Sequence, residues 1–291
     1  MKFTHSITRR ANIPWWGKIG AKLVLSRLPF GYTFWQRIGL FRHGDMDTSE
    51  YAIHVFHSHV ERSGLKNYLS GKTVLELGPG DSVSSAIIAA AYGARAIIVD
   101  AGRFVRNETA PYLDLEHALA EKGLLHTDLS GCRDIEEILN SCGAKYLTDG
   151  LGSLKKIEDE SVDLIFSQAV LEHVRRHEFL ETMQECRRIL RPGGICSHQV
   201  DLRDHLGCGL NNLRFSEGVW ESEFFAKSGF YTNRIQYSQM LNIFRQADFQ
   251  AQVTEVRRWE ALPIRRNHLS KEFGSLPEEE LNISGFDVLL R

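Results

Sequence analysis

The stretch KTVLELGPGDS, residues 72–82, runs from the apolar Val74 and Leu75 through Glu76 and Leu77 into a turn containing Gly78 and Gly80. A short apolar run closed by glycines reads as a buried β-strand. Glycines directly after a strand let the backbone turn sharply and approach a ligand where a Cβ would obstruct it. The same turn can also merely join a strand to a helix, so its surroundings decide the reading.

Those surroundings alternate. Residues 83–92 place Val83, Ala86, Ile87 and Ala90 on one side of a helix, and RAIIVD follows as a strand ending at Asp100. Strand, helix and strand in so short a span form a βαβ unit, which requires a parallel sheet with a right-handed crossover. The alternation continues with helices near 112–122 and 134–141, strands near 145–148 and 162–167, a helix over 174–190 and a strand over 194–201. Phe179, Leu180, Met183, Cys186 and Leu190 give the 174–190 helix its apolar stripe, and Pro192 with two glycines stops it. A helix over 234–247 precedes two strands, QAQVTEVRRW and GFDVLLR, close enough in sequence to pair antiparallel. The fold class is therefore α/β, a Rossmann-like, mostly parallel seven-stranded sheet with helices on both faces.

The ligand of the glycine turn follows from its charge. A dinucleotide fingerprint needs a third glycine where Val83 stands, and Glu76 would repel a pyrophosphate. A phosphate-binding P-loop needs Gly-Lys-Ser/Thr after the turn, and none follows. A nucleoside with an amino-acid tail and a positive sulfonium suits Glu76 and Asp81, and Asp100, at the next strand end, is placed to accept both ribose hydroxyls.

With VLELGPGDS, Asp100 after IIV, TDG at 148–150, SVDLIFSQAVLEHV at 161–174 and ECRRILRPGG at 185–194, the chain resembles the class I S-adenosylmethionine-dependent methyltransferases. The resemblance covers residues 70–205 and, more loosely, the final helix and strands. It implies the strand order 3-2-1-4-5-7-6 with strand seven antiparallel, and S-adenosylmethionine as cofactor across the carboxyl ends of strands one and two. It further implies that Glu76, Gly78 and Gly80 line the amino-acid tail, that Asp100 holds the ribose, and that Asp149 and Gly150 lie near the adenine. Ser167 and Gln168 would face the methionyl part and the substrate. DGLGSLKK at 149–156 departs from the family pattern, with Gly150 in place of the usual alanine, one extra residue and no proline.

Methyl transfer from a sulfonium is an in-line displacement that alignment alone can accelerate, so no metal is expected. A hydroxyl acceptor would need a base, and histidine has a suitable unperturbed pKa. The candidates are His205, in the loop after the fifth strand, His198, within that strand, and His173, in the LEHV motif; each also has a bland reading as a surface, packed or structural histidine. His54 and His57 lie one helical turn apart but His59 points elsewhere, a poor ligand set. The expected function is methyl transfer to a small-molecule, sugar or lipid-linked acceptor at oxygen. A protein or RNA methyltransferase and a non-catalytic cofactor-binding scaffold are the alternatives.

Residues 1–44 carry eight Lys or Arg and no Asp or Glu, whereas the whole chain has a formal net charge of -2. The body is therefore acidic, which disfavours nucleic acid as a partner. Three of the five tryptophans also fall in residues 1–50, a basic aromatic arm or lid ahead of a methyltransferase domain spanning 51–291. Packing on the domain or a second subunit, a lid over the acceptor, and peripheral membrane contact through residues 9–42 are all open to this arm, and a homodimer is compatible with the sequence. Residues 202–232 form an acceptor-side insertion, where Asn211, Asn212, Arg214, Trp220, Phe224 and Tyr231 are candidates for the pocket, or for local core. The five cysteines include no C-x-x-C pair, no apolar run reaches about 18 residues, and the start lacks a signal-peptide apolar core. A cytoplasmic location is expected, with peripheral contact at the inner membrane face open.

Overall fold

The computed structural model describes residues 14–25, 46, 48–124 and 127–291. Much of the basic arm, including Trp35 and the arginines at 9, 10, 27, 37 and 42, lies outside them. Seven strands form one sheet in the order β3-β2-β1-β4-β5-β7-β6: β1 (Thr73–Leu77), β2 (Arg95–Val99), β3 (Lys145–Leu147), β4 (Val162–Gln168), β5 (Leu190–Asp201), β6 (Ala251–Arg258) and β7 (Ile283–Leu290). The first five pair in parallel, and β7 runs antiparallel to both β5 and β6. This is the expected topology.

Two cores flank the sheet. Helices α2 (Ser49–Ser63), α3 (Ser84–Ala91), α4 (Ala110–Glu121) and α5 (Ile135–Ser141) bury Phe56, Ile87, Leu115 and Ile138 against Val74, Ile98 and Phe166. On the other face α6 (Gly150–Leu154), α7 (Phe179–Ile189) and α8 (Tyr237–Gln246) bury Leu154, Met183 and Phe244 against Leu75, Ile165 and Val288. Strands covered on both faces explain the near-continuous apolar runs of β1 and β4.

Two boundaries differ from expectation. The helix expected from 174 starts at Phe179, preceded by a 3-10 turn at Leu171–His173. Asn233 donates from its side chain to the Leu171 and Val174 carbonyls, and from its backbone to the Glu172 carbonyl, which removes the acceptors a helix would use. β5 begins already at Leu190, paired to Val162 across a register shift that absorbs Pro192 and its glycines. Helix α2 ends at Ser63, where Gly64 takes a left-handed cap with φ 78°.

Helix α1 (Trp15–Leu25) belongs to the arm and packs on the insertion. Trp15, Ile19 and Leu23 recur every fourth residue and meet Leu206, Trp220, Phe230 and Tyr231. The Trp15 ring meets Phe215 edge-on at 6.2 Å and lies under the Arg214 guanidinium. Trp16 and Val24 remain exposed on the opposite side.

Candidate active site

The glycine loop leaves β1 between two neighbours at their carboxyl ends. Gly78 has φ 67° and donates its N–H to the Val99 carbonyl at 2.8 Å, tying the loop to β2. A Cβ at Gly78 would lie 2.5 Å from Val170 Cγ1, so the segment after β4 presses directly on the loop. Gly80, with φ 68°, donates its N–H to Asp100 Oδ2 at 3.2 Å, and Ala101 donates to Oδ1 at 2.7 Å. Asp100 thus stands at the end of β2, oriented by two backbone donors over the loop. The segment after β3 closes the same corner, because Gly150 donates its N–H to the Asp100 carbonyl at 2.8 Å.

Burial sets the protonation of this corner. Desolvation pushes Glu76 up to about 8, against a hydrogen bond donated by Ser85 Oγ and with the Asp100 charge adding to the rise. Desolvation also pushes Asp100 up to about 6, opposed by the Ala101 and Gly80 N–H groups. Asp81 is buried as well and pairs with Arg106 at 3.5 Å. Three buried acids around a glycine turn reject an anionic pyrophosphate and suit a cationic ligand.

The remaining cofactor candidates are placed less directly. Asp149 is exposed and folds back on α6, with Lys156 Nζ 3.3 Å from its Oδ2. Ser167 is fully buried and hydrogen-bonds His198 Nδ1 at 2.8 Å. Gln168 accepts at Oε1 from His59 Nε2 at 3.0 Å, and its amide donates to Gln199 Oε1. Ser167 is therefore tied to β5 through His198, and Gln168 is held by α2.

The three histidine candidates separate. His198 is fully buried, and burial drives its pKa down to about 3, with the His59 and Arg62 charges acting the same way. It lies on the core face of β5 between Cys196 and Val200, with no surface to offer an acceptor, which corrects its candidacy as a base. His173 and His205 come together, their Nε2 atoms 3.0 Å apart and their rings stacked at 4.7 Å. His173 Nδ1 donates to the Tyr231 carbonyl at 2.9 Å, which leaves its Nε2 as a lone pair in the neutral ring. His205 keeps an exposed edge, yet the protein around it desolvates it enough to lower its pKa, with the Asp201 charge opposing.

Sequence reasoning passed over Glu172. It is 1% exposed, neither carboxylate oxygen has a hydrogen-bond partner, and burial holds its pKa well above the ordinary range. Its signal was topological. The loops after β4 and β5 emerge side by side because those strands pair in parallel, so acids and histidines just past the two ends must meet.

The insertion residues resolve toward packing. Asn211 binds Asp204 through its side-chain and backbone N–H groups, Asn212 donates to Thr232 Oγ1 at 2.9 Å, and the buried Trp220 donates to the Thr232 carbonyl at 2.7 Å. Tyr231 is buried too, whereas Phe224 stays exposed. His54, His57 and His59 do not converge: His57 Nε2 meets the Tyr92 hydroxyl at 2.6 Å, and His59 turns to Ser197 and Gln168.

Residues 131–197 match a family model described as a methyltransferase domain. That segment carries β3, β4, the LEHV turn, α7 and the start of β5. Solved structures of similar proteins include an S-adenosylmethionine-dependent methyltransferase from Methanosarcina mazei, 15% identical, covering 75% of this chain and 91% of its own, with TM-score 0.44. A second, from Mesorhizobium loti, is 16% identical over 81% of this chain and 99% of its own, with TM-score 0.43. A putative sarcosine dimethylglycine methyltransferase from Galdieria sulphuraria is 13% identical over 82% of this chain and 83% of its own, with TM-score 0.45. A comparison with curated proteins finds no match.

The sheet order is that of a Rossmann-like α/β protein, with an acidic glycine corner at the carboxyl ends of β1 and β2. Within that frame, residues 131–197 match a methyltransferase domain, and the strand order is the one the resemblance to class I S-adenosylmethionine-dependent methyltransferases implies. The corner fits S-adenosylmethionine, the cofactor the resemblance implies: Gly78 admits no Cβ, Asp100 is held by two backbone donors, and the surrounding acids match a cation. When bound, the cofactor supplies an electrophilic methyl on a sulfonium. Asp100 would then orient the nucleoside and Glu76 would balance positive charge.

Proposed function

We propose that the chain is an S-adenosylmethionine-dependent methyltransferase acting on a hydroxyl of a small molecule, sugar or lipid-linked acceptor. The carrying observation is the His173–His205 pair with Nε2 atoms 3.0 Å apart, standing after the ends of β4 and β5, three residues beyond the Val170 that presses on the glycine loop. An acceptor hydroxyl must lose a proton as it attacks, and a neutral imidazole lone pair is the group to draw it. The lowered pKa of His205 keeps that imidazole neutral at pH 7.

An acceptor carried on a lipid has support in α1, which is anchored by its inner stripe and turns Trp16 and Val24 outward near Lys18 and Lys22. Residues 9–42 would then meet an anionic membrane face from the cytoplasmic side. Liposome flotation of the full chain against a chain starting at residue 45 tests that part, and equal partition of the two removes it.

The acceptor reading is tested on His205→Ala. Turnover with labelled cofactor and extract-derived acceptors is expected to fall at least 100-fold, about the smaller end of general-base effects, with cofactor affinity by calorimetry changed less than about twofold. Unchanged turnover would remove the pair from the chemistry.

A further inference from the structure

We propose that Glu172, His173 and His205 form a binding site for one divalent transition-metal ion, of the zinc, manganese or iron(II) type. One ligand atom from each of the three lies within 4.8 Å of the others. The two imidazole Nε2 atoms are 3.0 Å apart. Two nitrogens each ~2.1 Å from one ion, at right angles to each other, are separated by ~3.0 Å. The histidines therefore already stand at the separation that adjacent ligands of a shared ion require.

Two further observations point to an ion. Glu172 is buried with both oxygens unpartnered, on the border of a small polar cavity shared with Asp201, Asn212, Thr232 and Arg234. A carboxylate withdrawn from water without partners is costly, and a cation beside it removes that cost. His173 meanwhile has the support a ligating histidine needs: its Nδ1–H is fixed on the Tyr231 carbonyl, and Tyr231 is itself held by Glu221 at 2.8 Å through its hydroxyl. This locks the ring with the Nε2 lone pair directed at His205.

The donor set selects the ion. Imidazole nitrogens favour zinc, iron and their neighbours, whereas magnesium and calcium prefer all-oxygen sets. Two imidazoles and a carboxylate also leave coordination positions open. For both Nε2 atoms to ligate, the proton on His205 shifts to its Nδ1; no change of oxidation state is involved.

The site sits at the acceptor pole, and its use in turnover rests on the oxygen-methylation reading above, although binding of the ion does not. With the ion present, His205 serves as a ligand. An acceptor hydroxyl at an open position releases its proton to solvent on coordination, and its oxygen then forms the bond to the methyl carbon as the carbon–sulfur bond breaks, the electron pair returning to sulfur.

The test uses the full chain, stripped with a chelator and titrated with Co2+. One equivalent is expected to give visible d–d absorption, which one equivalent of Zn2+ abolishes. His205→Ala and Glu172→Gln are each expected to weaken Co2+ binding at least tenfold, with the circular dichroism spectrum and S-adenosylmethionine affinity retained. Glu172 is buried, whereas His205 is in an exposed loop, so His205→Ala carries the test by itself even where Glu172→Gln fails to fold. Absence of the Co2+ band from folded wild-type protein, or an unchanged affinity in His205→Ala, overturns the site. Ion binding is read without turnover: ion binding with full turnover in His205→Ala sinks the acceptor reading alone, and lost turnover in that variant without ion binding by the wild type sinks the ion site alone.

Discussion

Gly78→Ala is the sharpest test of how the cofactor corner is built. The new methyl would lie 2.5 and 2.6 Å from the two Val170 γ-carbons and 3.1 Å from its Cβ, inside any normal contact distance. Relieving such an overlap in a packed site costs about 1–3 kcal/mol. The backbone adds to this, because φ is 67° and a residue with a Cβ pays about 1–2 kcal/mol there. The sum is about 2–5 kcal/mol. At an unfolding entropy of about 0.6 kcal/mol/K for a chain of this length, the melting temperature is expected to fall ~3–8 °C. Calorimetry should show weaker S-adenosylmethionine binding, since the loop can relieve the overlap only by leaving β2 or by pushing the segment after β4. Val170→Ala in the same background separates the causes: it removes the steric share and leaves the backbone share, giving a favourable coupling of about 1–3 kcal/mol. A Gly78→Ala protein that melts within about 1 °C of wild type and binds the cofactor equally, or a coupling under about 0.3 kcal/mol, would refute the claim that Val170 closes on the loop.

Two further expectations follow from the same geometry. On the proposed reading Asp100 binds the ribose hydroxyls as a carboxylate, and its pKa in the free protein is raised to about 6, so S-adenosylmethionine affinity should be flat above pH 7 and weaken toward a limit of about tenfold per pH unit below pH 6; calorimetry from pH 5 to 8 checks this, and the same slope in Asp100→Asn would assign it to another group. Deleting residues 1–25 strips Trp15, Ile19 and Leu23 from the insertion core, and the loss of about 2–3 kcal/mol of local burial should open residues 202–232 to limited proteolysis about 30- to 150-fold faster; an unchanged cleavage rate would mean that α1 does not hold the insertion.

The sheet was legible because its evidence is local. Each strand buried on both faces is a short apolar run, each crossover helix repeats at threes and fours, and Gly78, Gly80 and Asp100 sit at strand ends that any βαβ unit brings together. What was illegible depends on contacts distant in sequence. Residues 174–178 continue the helical pattern of α7, and only Asn233, from another segment, caps the carbonyls that would have extended it. Asn211, Asn212 and Trp220 have pocket-lining chemistry, but Asp204 and Thr232 claim their polar atoms. His173 and His205 were each visible, 32 residues apart, while their pairing was not.

The two ends of the cleft divide the charge of the reaction between them. At the glycine corner, Glu76 and Asp100 hold protons more tightly in the folded protein than their ordinary values allow. Such acids are a burden on the fold that grows as pH rises from the unfolded value near 4 toward about 6 for Asp100 and about 8 for Glu76. A cationic ligand reverses the sign: it favours the charged carboxylates and recovers part of what burial cost. An anionic nucleotide would deepen the cost, so the corner discriminates by charge before any hydrogen bond to the sugar forms. At the other end stand the His173 and His205 imidazoles beside the buried Glu172, where burial lowers the His205 pKa against the pull of the Asp201 and Asp204 charges. That one unpartnered carboxylate has the wrong charge for easing a hydroxyl toward its anion, and it becomes useful there only when a cation lies between it and the acceptor.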